Sequence, residues 1–140
     1  MLRRFRIATD RIGPRRWCWV VIHPNAAHFE AAAARTAPHH DRGWWNGCLG
    51  CFQPVWYRER EIDGEWVGNW PANGYAGVMR LIDGHVTAEI VAHELVHAAV
   101  QIYRMNVRRD LRLGVACAPR EEDLAYIYGE LYGSLEPQLS

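Results

Sequence analysis

Apolar residues gather in separate stretches along the chain, each with the period of a recognisable element. Trp17 to His23 is a nearly continuous apolar run rich in β-formers and stopped by Pro24, which predicts a mostly buried strand. Asn25 is a suitable cap for an alanine-rich helix over Ala26 to Arg35, which Pro38 ends. Two further strands are predicted over Cys48 to Tyr57 and Tyr75 to Ile82. Between them lies an excursion with Asp63-Gly64 and Asn73-Gly74 turn signals. Thr87 then caps a helix from Ala88 to about Arg104 with no Gly or Pro inside it. After Pro119 a last helix runs from Arg120 to Leu135, with Glu121, Glu122 and Asp123 in the first turn, where the macrodipole favours anions. No repeat or flexible linker divides this series, so the pattern reads as one α+β domain over residues 1–140, with a small sheet at its centre.

Composition narrows the chemistry. The chain has 140 residues, 49% hydrophobic and 23% charged, which is ordinary for a folded globular domain. Its formal net charge is zero, which removes a whole-molecule electrostatic case for nucleic acid or an anionic membrane. All sixteen basic residues are arginine, so chemistry that needs a lysine, such as a Schiff base or a phosphate-loop lysine, is excluded. Six of these arginines precede Trp17 against one Asp10, and residues 1–16 read as a flexible, solvated basic arm. The first apolar stretch is too short for a signal-peptide core or a membrane span, and Cys18, Cys48, Cys51 and Cys117 read as thiols or metal ligands. The expected setting is cytoplasmic.

The helix after Thr87 is apolar on nearly every side and is expected in the interior, yet its centre carries His93, Glu94 and His97. Residues four apart share a helical face, so both imidazoles can bind one tetrahedral zinc. Glu94 lies roughly 60° around the helix from His97, where its carboxylate reaches the reacting water without ligating the metal. This is the HExxH arrangement. A third ligand is needed. The extended pattern of metzincins is absent, since Val100 and Tyr103 stand where it requires Gly and His. Glu122, Tyr126, Gly129 and Gly133 stack along one face of the last helix, and the two glycines suit close approach to Ala98 and Ala99; Glu122 is therefore expected as the third ligand. Glu121 shares its face with Tyr128 and Tyr132 and is the alternative.

His93-Glu94-x-x-His97, followed about 25 residues later by Glu122-Asp123-Leu124-Ala125, resembles the gluzincin layout. It is most similar to the small ImmA/IrrE-type peptidases and related phage or mobile-element proteins, over roughly Thr87 to Leu135. The resemblance implies a minimal zincin-like fold with a small, mostly antiparallel sheet, an active-site helix and a C-terminal helix. It implies His93, His97 and Glu122 as Zn2+ ligands, Glu94 as general base and acid, and a peptide or protein substrate whose peptide bonds are hydrolysed. Tyr126 or Tyr103 is expected to donate to the developing oxyanion. The strand Tyr75 to Ile82 matches, by its order in the chain, the zincin edge strand that holds extended substrate.

Two other readings stay open. A zincin-like fold with little activity would serve as a metal-stabilised binding or regulatory module. Asn46-Gly47-Cys48-Leu49-Gly50 resembles the segment from which peptide deformylases take a cysteine ligand, which makes Cys48 a second candidate for the third position. Cys48 and Cys51 with His39 and His40 also form a candidate structural zinc site, although buried-strand cysteines and loop histidines are the simpler expectation. The tryptophans are read as packing groups.

Overall fold

Arg3–Thr9 is a strand (β1) that pairs antiparallel with Arg16–His23 (β2), from Arg3 opposite Ile22 to Thr9 opposite Arg16. The amino-terminal residues are therefore part of the sheet rather than a solvated arm. Phe5 and Ile7 alternate with Arg4 and Arg6. The first pair faces the core, where Ile7 is 1% exposed, and the second lies against the indoles of Trp17 and Trp19 on the other face.

The computed structural model describes residues 1–37, 40, 43–55, 58–106 and 119–139, and the side chains of 58–62, 65–69 and 119–121 lie outside that description. After β2 come a helix, Ala26–Thr36 (α1), whose cap Asn25 accepts from the His28 amide, and a strand, Gly50–Pro54 (β3). Arg58–Ile62 (β4) and Glu65–Asn69 (β5) form a separate hairpin around Asp63-Gly64, both at positive φ as a tight two-residue turn requires. Tyr75–Ile82 (β6) returns to the main sheet. Helix Ala88–Asn106 (α2), capped by Thr87, and helix Pro119–Leu135 (α3) complete the α+β fold.

The main sheet has the order β1-β2-β6-β3, with β2 and β6 parallel and the two outer pairings antiparallel. Strand β6 is thus central, and β3 is the edge strand nearest α2, not β6 as its place in the chain suggested. The apolar run of Tyr75 to Ile82 is that of a mostly buried strand with a neighbour on each side. Helices α2 and α3 cover one face, where Cys18, Val20, Ile22, Met79 and Leu81 meet Leu95, Ala98, Ile102, Ile127 and Leu131. On the other face, α1 covers only one end, burying Phe29 and Ala33 against Cys51 and Ile82. Among the described residues, no helix is long and apolar enough to cross a membrane.

Candidate metal centre

Helix α2 lies along β3, and one stripe of the helix makes that contact. A β carbon at Gly50 would stand 2.9 Å from Ile90 Cγ2 and 3.4 Å from Glu94 Cγ, and the Gln101 amide donates to the Val55 carbonyl at 3.0 Å. Ile90, Glu94 and Gln101 therefore share the strand-facing side, and His97 and His93 follow it around the helix toward solvent. The helix is less interior than its composition suggests. The His93 side chain is 68% exposed and Val96 is 49% exposed, so this part of the helix borders solvent rather than lying in the interior.

The two imidazoles converge. His93 Nε2 and His97 Nε2 are 3.3 Å apart, with ring centroids 5.0 Å apart and planes 70° to each other. Burial, followed by the neighbouring His93, lowers the pKa of His97 and favours the neutral form a metal requires. Glu94 is the buried member of the motif at 6% exposure, and burial raises its pKa against the opposing pull of His93, whose Nε2 is 3.9 Å from Glu94 Oε1. A raised carboxyl pKa brings a group closer to the range in which it can both take and return a proton.

The other expected site residues are placed elsewhere. Leu124, Ile127, Tyr128, Leu131 and Leu135 form the inward stripe of α3, and Glu122 lies roughly 160° around the helix from Leu124, exposed. Gly129 and Gly133 lie on the outward side with nothing within 4 Å of an added β carbon, so the glycine face is not the packing face. The large apolar stripe at helical spacing outweighs the small-residue stripe because it removes more area from water. The helices are antiparallel: Tyr132 and Leu135 lie by Val91, and Leu124, Ala125 and Tyr128 by Val96 and Ala99. Continued at about 1.5 Å per residue, this register sets Glu122 about 8 Å past His97 along the α2 axis. The structure thus does not bring Glu122 to the histidine pair. Glu121 holds the α2-facing register in the same turn, with its side chain outside the description.

Tyr126 is also turned away, 48% exposed with the Arg11 guanidinium 4.7 Å over its ring, and Tyr103 is fully buried. Among the phenols α3 directs toward α2, Tyr132 lies by Val91, and Tyr128, nearer the histidines, lines an apolar groove with Val96, Ala99, Leu124 and Ala125. Its place on the Leu124/Leu131 stripe was the available signal. Cys48 packs with the cluster of Phe29, Trp45 and Ile82 on the α1 side. His40 stacks on Trp44 at 4.2 Å, and Cys51 is buried; His39 and Cys117 lie outside the described residues.

Zinc bound to nitrogen at about 2.0–2.1 Å in tetrahedral geometry places two ligand nitrogens about 3.4 Å apart. The 3.3 Å between His93 Nε2 and His97 Nε2 fits one edge of such a tetrahedron. Among the described residues, no group of three His, Cys, Asp or Glu side chains is arranged to hold a metal, and the histidine pair stands without a third such ligand among them. Compared with known protein families, curated proteins and solved structures, the chain matches none.

Proposed function

We propose that the protein is a zinc-dependent peptidase, with His93 and His97 holding the ion and Glu94 serving as general base and acid. The observation that carries this reading is the convergence of the two Nε2 atoms to the spacing of a tetrahedral edge, with the motif's carboxylate buried at their side. When bound, zinc supplies Lewis acidity that polarises a carbonyl and makes water acidic near neutrality. Glu94 takes the proton of the attacking water as the new C–O bond forms, and returns it to the nitrogen as the peptide C–N bond breaks. Its burial against Gly50 limits the water that competes for that proton.

The edge strand beside the site is β3, paired with β6 on one side only among the described strands, and an extended peptide added to its open edge would lie along the Ile90–Gln101 stripe of α2. The apolar groove at Val96 and Tyr128 suits an apolar substrate side chain. Cys18, Cys48 and Cys51 are free thiols, in keeping with a reducing, cytoplasmic setting.

A second reading is favoured by the outward placement of Glu122. Two imidazoles would hold the ion and leave its remaining positions to groups of a partner, giving a binding or regulatory module with little hydrolysis. Metal analysis of the purified protein, combined with cleavage of a random-sequence peptide library, separates the two. The peptidase reading expects zinc in the wild type and in Glu94→Gln, hydrolysis in the wild type alone, and loss of zinc in His97→Ala. Retained cleavage in Glu94→Gln, or no zinc in the wild type, overturns it; zinc without cleavage in either protein selects the second reading.

A further inference from the structure

The face of the sheet turned away from the candidate metal centre carries three arginines and two histidines around a cavity. The cavity measures about 280 Å³ and lies between the start of β1, the middle of β2 and β6, and α1. Arg4, Arg35, Arg80, His23 and His28 line it, and no acid does among the described residues. The wall between them is apolar and partly aromatic, made by Trp19, Val21, Tyr75 and Val78. A register shift in β6 produces this wall. Trp17 pairs with Tyr75 but Cys18 with Gly77, and the extra residue places Tyr75 on the same face as Val78 and Arg80.

Among the described residues, the side chains that hold Arg80 are neutral ones. Its Nε donates to Gln53 Oε1 at 2.7 Å and its NH2 group to Thr36 Oγ1 at 2.8 Å, and its NH1 group is 3.2 Å from His23 Nε2. Gln53 is itself held, donating to the Ala33 carbonyl. These contacts orient the guanidinium without cancelling its charge. At the mouth, Arg4 is ordered by stacking 4.4 Å over the Trp19 ring. The field registers on His23, whose pKa is pushed down to about 4, first by burial and then by Arg80, His28 and Arg35.

We propose that this cavity is a binding site for a small aromatic phosphate monoester of the nucleoside monophosphate class. Pre-oriented arginines suit a phosphate dianion, since their planar donor forks match its oxygens. The apolar wall of Val21, Tyr75 and Val78 suits a planar ring, and the volume is close to the lower limit for small-molecule sites, which fits one nucleotide rather than a chain of them. The site does not depend on the peptidase reading, because it lies across the sheet from His93 and His97.

Isothermal titration calorimetry of the full chain with adenosine 5′-monophosphate, adenosine and inorganic phosphate tests the assignment, with a fluorescently labelled oligothymidylate as a fourth probe. Arg4 and Arg35 are exposed, so Arg4→Gln and Arg35→Gln leave the core intact, and equal melting temperatures verify this. The expected result is one monophosphate per chain, adenosine and phosphate each bound at least about tenfold more weakly, and a loss of about tenfold in either variant. Adenosine binding as well as its monophosphate, unchanged affinity in both variants, or an oligothymidylate bound more tightly than the monophosphate would each overturn it.

Discussion

Gly50 makes room for Glu94. A β carbon on that first residue of β3 would stand 3.4 Å from Glu94 Cγ and 2.9 Å from Ile90 Cγ2, so strand and helix approach as closely as they do only because the position has no side chain. Gly50→Ala is therefore expected to displace the helix or turn Glu94 off its present rotamer. Overpacking of this kind costs about 1–3 kcal/mol. On the proposed peptidase reading, peptide hydrolysis should fall further than thermal stability while zinc content is kept, because that reading makes the crowded residue the base and not a ligand. Equal cleavage rates in Gly50→Ala and wild type would show that the carboxylate does not need this position.

The outward register of Glu122 leads to a second expectation. Glu122→Ala should bind zinc as the wild type does and melt at the same temperature, since an exposed side chain far from other features changes stability by less than about 0.5 kcal/mol. The comparison is zinc content after dialysis, measured beside Glu121→Ala and His97→Ala. Zinc lost from Glu122→Ala would mean that α3 turns about its axis to close on the histidine pair.

Much of this arrangement was legible in the chain, and the misreadings share a cause. Helices α1, α2 and α3 and strands β2 and β6 end within one or two residues of the positions that Asn25, Thr87 and Pro119 and the apolar runs indicate. The i, i+4 spacing of His93 and His97 is local, and helix geometry alone makes the two rings meet. Facing and strand order are not local. Arg3–Thr9 looks like a solvated arm because its arginines dominate, although Phe5 and Ile7 alternate with them at the period of a strand. What admits those arginines to a sheet face is the indole of a neighbouring strand. Likewise, the glycines of α3 suggest close approach only until its leucine stripe is weighed against them, and the central place of β6 follows from a crossover that chain order does not reveal.

His23 supplies a pH dependence that can be measured without any substrate. Its pKa is pushed down to about 4 in the folded chain, by burial first and then by Arg80, His28 and Arg35, against an ordinary value of 6.5. Between those values the unfolded chain binds a proton that the folded chain excludes, so stability rises with pH across the window. Its contribution is complete above 6.5 and declines as the pH falls toward 4. The slope from this one group cannot exceed about 1.4 kcal/mol per pH unit. Urea melts of wild type and His23→Gln through this range should therefore diverge, with the variant losing stability less steeply on acidification.

Thr9 and Glu130 join the first strand to the last helix, and removing the acid should expose how firmly the amino-terminal segment is held. The Thr9 hydroxyl donates to Glu130 Oε1 at 2.8 Å and the Asp10 amide to the same oxygen at 3.2 Å, with Thr9 buried. Glu130→Ala leaves the hydroxyl of the buried Thr9 without its acceptor, at a cost of about 1–3 kcal/mol. Thr9→Val changes the same contact differently, because a methyl replaces the hydroxyl and the carboxylate can turn to solvent. Its cost should be the smaller of the two, and in the double variant the two losses should sum to more than the measured effect. Hydrogen exchange gives the structural readout. The amides of β1 should exchange faster in Glu130→Ala than in wild type, while those of β6, paired on both sides, keep their protection. Full protection of β1 in the variant would show that its pairing with β2 and the burial of Ile7 suffice to hold it.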